Sequence, residues 1–369
     1  MSSAGDFITA AGRDLGFRLA GWAPADTLPR GAYLMDWLAA GRAGEMGYLA
    51  RRTAERTDPR RAFPWARSVI SLAHPYPPGP PPPVDWRATL RGRIAAYAQG
   101  ADYHDRLHDL LRTLVARLGA QFPGARFRAY VDTGPVLERE WAMRGGVGWI
   151  GKNTLVLERS IGSYFFLAEL LTDLELDPPR GATEDHCGGC TRCLRACPTG
   201  ALDPGGYTMD PRLCLAYLTI EHRGPIPSAL RPALENWIFG CDLCQEACPW
   251  NADLAAGGDT ERLAPALPPL LALDAAGFRA RFGRTAIART KRAGLLRNVA
   301  VALGNSGNRD AVPSLAAALS DPEPLVRGHA AWALGRLGGA PARRALEGAR
   351  LREADSGPAA EIAAALAAC

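Results

Sequence analysis

Eight of the nine cysteines in this 369-residue chain fall between Cys187 and Cys248. A stretch so dense in thiols is organised by what the sulfurs bind and not by an apolar core of its own. The first run is Cys187-x2-Cys190-x2-Cys193-x3-Cys197-Pro198. In runs of this spacing three thiolates hold one [4Fe-4S] cubane and the fourth crosses to another. The second run, Cys241-x2-Cys244-x3-Cys248-Pro249, is one ligand short, and Cys214 is the remaining cysteine nearby that can fill the gap. The count then closes with Cys187, Cys190, Cys193 and Cys248 on one cluster and Cys197, Cys214, Cys241 and Cys244 on the other. Structural zinc and disulfides compete with this reading. Two sets of four would also satisfy zinc, but paired Cys-Pro ends and x2-x2-x3 spacing are not zinc-ribbon features. Cys369 stands apart and is assigned no role.

The composition is that of a soluble globular protein, with 47% hydrophobic and 22% charged residues. The length allows two or three domains. The first residues, MSSAGDFI, have no basic region followed by an apolar run, and no stretch approaches the length needed to span a bilayer. Cysteines that must stay reduced for cluster assembly fit a cytoplasmic setting. We therefore expect a cytoplasmic protein with no membrane partner, and nothing demands more than a monomer.

The net charge of +5 hides an asymmetry. Residues 271–369 carry 14 Lys/Arg against 8 Asp/Glu, whereas residues 1–270 are nearly balanced. The basic density peaks at Arg279, Arg281, Arg284, Arg289, Lys291, Arg292, Arg297 and Arg309, with no acid between Ala275 and Arg309. Basic runs are usually solvated surface. A block this long without a compensating acid points more to phosphate, and nucleic acid is the expected partner.

Three blocks are expected: residues 1–177, 178–268 and 269–369. In the first, residues 102–121 put Leu107, Leu110, Leu111, Leu114, Val115 and Leu118 on one helical stripe. Apolar runs at 68–73, 127–131, 155–157 and 164–171 read as strands, which makes this block α/β or α+β. The proline-rich stretch at 77–83 reads as a stiff loop. The second block holds the cysteine runs, separated by short helices. The third repeats itself at an offset of 31: Ala300, Ala302, Leu303, Gly304, Gly307, Ala311 and Leu315 match Ala331, Ala333, Leu334, Gly335, Gly338, Ala342 and Leu346. Each copy reads as helix, turn, helix, the pattern of a HEAT-like α-solenoid. Such ridges suit a phosphate backbone or a protein partner.

Cubanes move single electrons, so another group must use them. No G-x-G-x-x-G fingerprint follows an expected strand. The unusual segment is 130–157, YVDTGPVLEREWAMRGGVGWIGKNTLVL. Asp132 ends an apolar strand before a Thr-Gly-Pro turn that should begin a helix. A carboxylate there can face a pocket and act as an acid, or serve as a helix N-cap. Gly145, Gly146, Gly148 and Gly151 surround Trp149 and allow close approach of a large ligand. Lys152 and Asn153 follow as polar contacts, or as a solvated turn.

VDTGPVLERE, GGVGWIGKN, the segment around Tyr97, Asp102, Tyr103 and His104, both cysteine runs and the repeated tail together resemble the epoxyqueuosine reductase family over nearly the whole chain. The cysteine runs are generic to ferredoxin-like proteins; the Asp-Thr-Gly-Pro and Gly-Trp-Ile-Gly-Lys-Asn stretches are more specific. The resemblance implies an α+β multidomain protein. It would have a flavin-reductase/nitroreductase-like cobalamin-binding domain, a bacterial ferredoxin-like domain with two [4Fe-4S] clusters and a C-terminal HEAT-like α-solenoid. It implies reduction of epoxyqueuosine to queuosine in the anticodon loop of tRNA, with cobalamin as cofactor and Asp132 as general acid. Asp102-Tyr-His104-Asp-Arg-Leu107 approaches the D-x-H-x-x-G signature of histidine-on-cobalt ligation, but Leu107 stands where glycine is required. His104 is therefore expected to be a pocket residue or a helix-start histidine with a local hydrogen bond, and not a ligand. Tyr97, Tyr103, Gly148, Trp149, Lys152 and Asn153 are the remaining expected cofactor contacts, with core packing as the alternative for the tyrosines. Arg284, Arg289, Lys291, Arg292 and Arg297 are expected on the tRNA phosphates, and a small flavodoxin or ferredoxin as electron donor.

Two other classes compete. A dehalogenase-like cobalamin and iron–sulfur enzyme acting on a small molecule has no use for the basic repeats. A non-catalytic electron carrier leaves the first block without a task.

Overall fold

The structure is a computed structural model that describes residues 3–79, 85–177, 183–257 and 259–369. Positions 80–83 of the proline-rich loop, and the boundary expected at 178, lie outside the described residues. The chain divides into two units. The first comprises Met1–Pro78, Asp102–Arg212 and Leu243–Ala255; the second comprises Gly79–Ala101, Leu213–Asp242 and Ala256–Cys369. The division differs from the three blocks read from the sequence, because the cysteine segment forms no unit of its own. Part of its apolar content serves another core: Ile220, Ile238 and Phe239 pack with the residues of the C-terminal helices.

The first unit is built on four antiparallel strands, β1 (Leu19–Pro24), β2 (Ser68–Pro75), β3 (Phe127–Tyr130) and β4 (Phe165–Thr172), in the order β1-β2-β4-β3. Side chains alternate across a strand, and the two faces carry different cores. Ile70, Leu72, Ala168 and Leu170 pack with the apolar stripe of a long helix. That helix, Tyr103–Gln121, is capped by Asp102, whose side chain accepts from the His104 amide, and it buries Leu107, Leu111, Leu114 and Leu118. On the opposite face Val69 and Leu171 pack with Trp141, from the short helix Glu138–Arg144. The helix expected directly after Thr-Gly-Pro thus begins at Glu138, and its N-cap is Leu137, not Asp132.

The second unit ends in five helices, Lys291–Ser306, Val312–Ala318, Pro324–Leu337, Ala340–Arg350 and Ser356–Ala368. The 31-residue repeat has a steric cause here. A Cβ on Gly304 would lie 2.8 Å from the Ala333 backbone, and one on Gly335 would lie 2.8 Å from the Ala365 backbone. Successive long helices cross where a glycine meets an alanine, which lets their backbones approach closely enough to bury Leu303 and Leu334 completely.

Candidate active site

Asp132 follows β3 with φ +56°, a left-handed conformation uncommon for any residue but glycine. Its backbone amide donates to Glu138 Oε1 at 2.6 Å, which ties the loop to the start of the next helix. A backbone held this way at the edge of a cavity is where functional strain is found. Two donors from the N-terminus of helix Tyr103–Gln121 meet one of its carboxylate oxygens: Tyr103 Oη donates to Asp132 Oδ2 at 3.2 Å, and His104 Nε2 lies 3.2 Å from the same atom. The other ring nitrogen, Nδ1, is 2.7 Å from Asp102 Oδ1. Burial opposes charge on His104, but hydrogen bonds to Asp132 and Asp102 outweigh it and raise its pKa above the ordinary value. The Asp102 cap, needed to start the helix, also orients the imidazole. Tyr103 stacks on Phe166 with ring centroids 4.3 Å apart and planes 7° from parallel.

Asp132, Tyr103 and Phe166 line a cavity of about 290 Å³ together with Glu138, Arg139, Leu155, Val156, Ser163, Phe165 and Leu167. Glu138 is half-buried and Arg139 exposed, and both line the cavity. Burial, then the nearby Asp132 charge, pushes the Glu138 carboxyl up to about 7. Polar groups able to hold protons thus stand opposite an aromatic and aliphatic wall.

Cys187, Cys190, Cys193 and Cys248 form a second constellation of the same unit. None of the four is in a disulfide and all are half-buried. Burial raises the thiols of Cys187, Cys193 and Cys248; Cys187 and Cys190 act on Cys193, and Cys187, Cys193 and Cys190 act on Cys248. Cys248 thus lies within electrostatic reach of Cys187, Cys190 and Cys193. Four thiols that repel one another as thiolates suit a positively charged iron core, which offsets that repulsion. Among the described residues no three His, Cys, Asp or Glu converge as on a single metal ion. Four half-buried cysteines outside any disulfide are the donor set a cubane takes.

The glycine-rich loop packs on this constellation. Lys152 Nζ donates to the carbonyls of Gly188 (2.6 Å) and Cys190 (3.1 Å). Trp149, buried, meets His186 and Trp250 edge-on. A Cβ on Gly151 would lie 3.4 Å from Cys187 Sγ.

Three family models match the chain: epoxyqueuosine reductase QueG, DUF1730, over residues 56–133, a 4Fe-4S double cluster binding domain over 186–251, and HEAT repeats over 285–367. The epoxyqueuosine reductase of Pseudomonas aeruginosa is 42% identical over 340 residues, covering 89% of this chain and 92% of that protein. The chain belongs to the epoxyqueuosine reductase family. The Gloeobacter violaceus epoxyqueuosine reductase is also 42% identical, over 82% of this chain and 96% of its own. Two solved epoxyqueuosine reductases have the same fold. One, in complex with a tRNA-Tyr epoxyqueuosine-modified stem loop, superposes with a TM-score of 0.91 at 31% identity over 99% of this chain and 98% of that one. The other, from Bacillus subtilis with its aspartate catalytic loop swung out of the active site, gives 0.90 at 30% identity over the same shares.

Of the expected site residues, Asp132 and Tyr103 line the cavity, and His104 meets the Asp132 carboxylate. Gly148, Trp149, Lys152 and Asn153 have another neighbour. Trp149 and Lys152 shore up the cysteine run, and Asn153 is buried with its Oδ1 accepting from the Leu155 amide. Gly148 is required by strand pairing, since a Cβ would lie 2.1 Å from Leu157 O. Tyr97 belongs to the second unit, where it packs on Phe239 and the helical core, the alternative weighed for it above.

The basic stretch divides as well. Arg284 and Lys291 are exposed. Arg289 pairs with Glu221 at 2.8 Å, and Arg292 forms a two-pronged pair with Asp321 while also donating to Leu273 O. Arg297 corrects the sequence reading outright. It is 0% exposed and donates to the carbonyls of Leu218 (2.6 Å), His222 (2.8 Å) and Gly224 (2.7 Å) and to Asn298 Oδ1. An arginine spent on interior carbonyls cannot meet a phosphate. Arg297→Met should cost about 3 kcal/mol or more of stability, because it strands several buried acceptors; denaturant unfolding would measure it.

The sequence reading missed Glu138, Arg139 and Glu169. Glu169 had a visible sign: it is the one acid in an otherwise apolar strand, FFLAELLT.

Proposed function

We propose that this chain reduces epoxyqueuosine to queuosine in the anticodon loop of tRNA, with cobalamin as cofactor, two [4Fe-4S] clusters as its electron supply and Asp132 as proton donor. The observation that carries the reading is the meeting of Tyr103 and His104 on one oxygen of Asp132 at the wall of the cavity, in a chain of this family. A relative solved with an epoxyqueuosine-modified stem loop, and another with an aspartate catalytic loop, support it.

The overall change takes two electrons and two protons and releases the epoxide oxygen as water. Cobalamin, when bound, supplies the strongly reducing centre that this requires. The apolar wall of Phe165, Phe166 and Leu167 suits a macrocycle, and Tyr103, Ser163 and Arg139 offer polar contacts at its edge. Asp132 gives its proton to the oxygen as the carbon–oxygen bond breaks. His104 holds that carboxyl in place and returns a proton to it. Cys187, Cys190, Cys193 and Cys248 hold one cluster; by ligand count Cys197, Cys214, Cys241 and Cys244 hold the other. A small flavodoxin or ferredoxin suits the task of donor, and a monomer in the cytoplasm suits the chemistry. No helix among the described residues is long and apolar enough to cross a membrane.

Arg284 and Lys291, with Arg279, Arg281 and Arg309, are the exposed cations of the basic stretch and are assigned to the stem's phosphates. Phosphate contacts position the RNA without reading its sequence. Replacing Arg284 and Lys291 with glutamate should weaken stem-loop binding about tenfold and reduce its salt slope by roughly two, with thermal stability retained. Filter binding across a salt series would measure both. Loss of one oxygen from the modified nucleoside, followed by mass spectrometry, tests the activity itself.

A further inference from the structure

Glu169 lies in the middle of the sheet, 0% exposed, and no donor group among the described residues reaches either of its carboxylate oxygens; the side chain within hydrogen-bond reach is another carboxyl, that of Glu138. An ionised carboxylate left this way costs several kcal/mol, and such a group keeps its proton instead. Strand alternation aims it at helix Glu138–Arg144 and away from the long helix, because its neighbours in β4, Ala168 and Leu170, face the other core. The groups around it are few. Ser71 from β2 and Tyr130 from β3 are its cross-strand partners, and Ser71 Oγ is also buried and unpaired. Glu138 from the helix and Asp132 from the loop face it with like charge. The nearby cations Arg56 and Arg139 act on Glu138 and Asp132. Burial first, and then Glu138, raises the Glu169 carboxyl well above the usual range.

Glu138 links this interior acid to the site. One of its oxygens accepts the Asp132 amide, and its side chain lines the cavity. We propose that Glu138 and Glu169 share one exchangeable proton behind Asp132 and deliver it to the cavity, so that the departing oxygen takes its second proton from this pair. The inference rests on the deoxygenation reading above. The balance closes. Both carbon–oxygen bonds of the epoxide break and a carbon–carbon double bond forms. The oxygen accepts one proton from Asp132 and one from the glutamate pair, and leaves as water. Two electrons come from the external low-potential donor through the clusters. Between turnovers Asp132 regains its proton through His104, and the glutamate pair regains one from solvent.

Two measurements test the pair, and the first needs no substrate. A wild-type minus Glu169→Gln infrared difference spectrum of the cluster-loaded protein at neutral pH should show the carbonyl stretch of a protonated carboxylic acid, shifted in D2O, over and above any band from Asp132 or Glu138 common to both proteins. If the difference spectrum holds no such band, the stored proton is refuted whatever the activity. The second is the pH profile of single-turnover deoxygenation. In Glu169→Gln the alkaline limb should begin at lower pH, with the rate falling about tenfold further at the alkaline end than at the acid end. Glu169→Asp should restore part of it. A merely structural glutamate would lower the rate equally at every pH, and that result would overturn the supply role. If wild-type protein forms no queuosine at any pH, the reaction assigned to the site fails along with the second-proton role, and the infrared band still decides whether the proton is held.

Discussion

Asp132→Asn should lower the single-turnover rate of epoxide removal by about 10²–10⁴-fold, with iron content and cobalamin binding retained. Asparagine is the informative replacement for two physical reasons. It tolerates the left-handed backbone that Asp132 adopts at φ +56°, so the tie from its amide to Glu138 can persist. It also keeps an oxygen where Tyr103 and His104 converge. What it lacks is a proton that it can give up to a leaving oxygen. Loss of rate in this variant therefore reports on proton donation and not on loop collapse. A residual rate within about tenfold of wild type, below the usual contribution of a general acid, would remove Asp132 from the chemistry.

Cys248→Ser should remove one cubane, about half of the iron, and abolish multiple turnover, since electrons reach the site through the clusters. The sharper form of this experiment uses pairs. The ligand count puts Cys248 on one cluster with Cys187, Cys190 and Cys193, whose charges reach it, so the double replacement of Cys187 and Cys248 should lose no more iron than either single one. Combining Cys248→Ser with Cys197→Ser should lose nearly all of it, because these two ligands belong to different clusters. Additive losses within the first pair would contradict the crossed arrangement. Iron analysis with low-temperature electron paramagnetic resonance distinguishes the cases.

Spacing carried the reading of the sequence wherever chemistry depends on spacing. The Cys-x2-Cys-x2-Cys-x3-Cys run named its own cofactor, and the leucine stripe of residues 102–121 became the helix Tyr103–Gln121. The offset of 31 became glycine-on-alanine helix crossings. Burial was where the reading failed. Nothing local distinguishes Arg297, wrapped by three carbonyls, from Arg284 in solvent, because those carbonyls come from residues 218–224. Trp149 and Lys152 were read as cofactor contacts because a glycine-rich loop is permissive toward any large neighbour. The neighbour that the fold supplies is the cysteine run, 36 residues along the chain from Lys152 at its nearest contact. Asp132 was legible as a strand-end acid; its partnership with Glu138 was not, since it needs a left-handed residue that the sequence does not mark.

The most direct test is an anaerobic reaction of iron-reconstituted protein with a strong reductant and a tRNA stem loop bearing epoxyqueuosine, run with and without cobalamin and read by nucleoside mass spectrometry. Queuosine should form, by loss of one oxygen, only when cobalamin is present. Queuosine formed equally well without cobalamin would contradict the cofactor assignment, and an untouched epoxide in the complete mixture would contradict the proposed reaction.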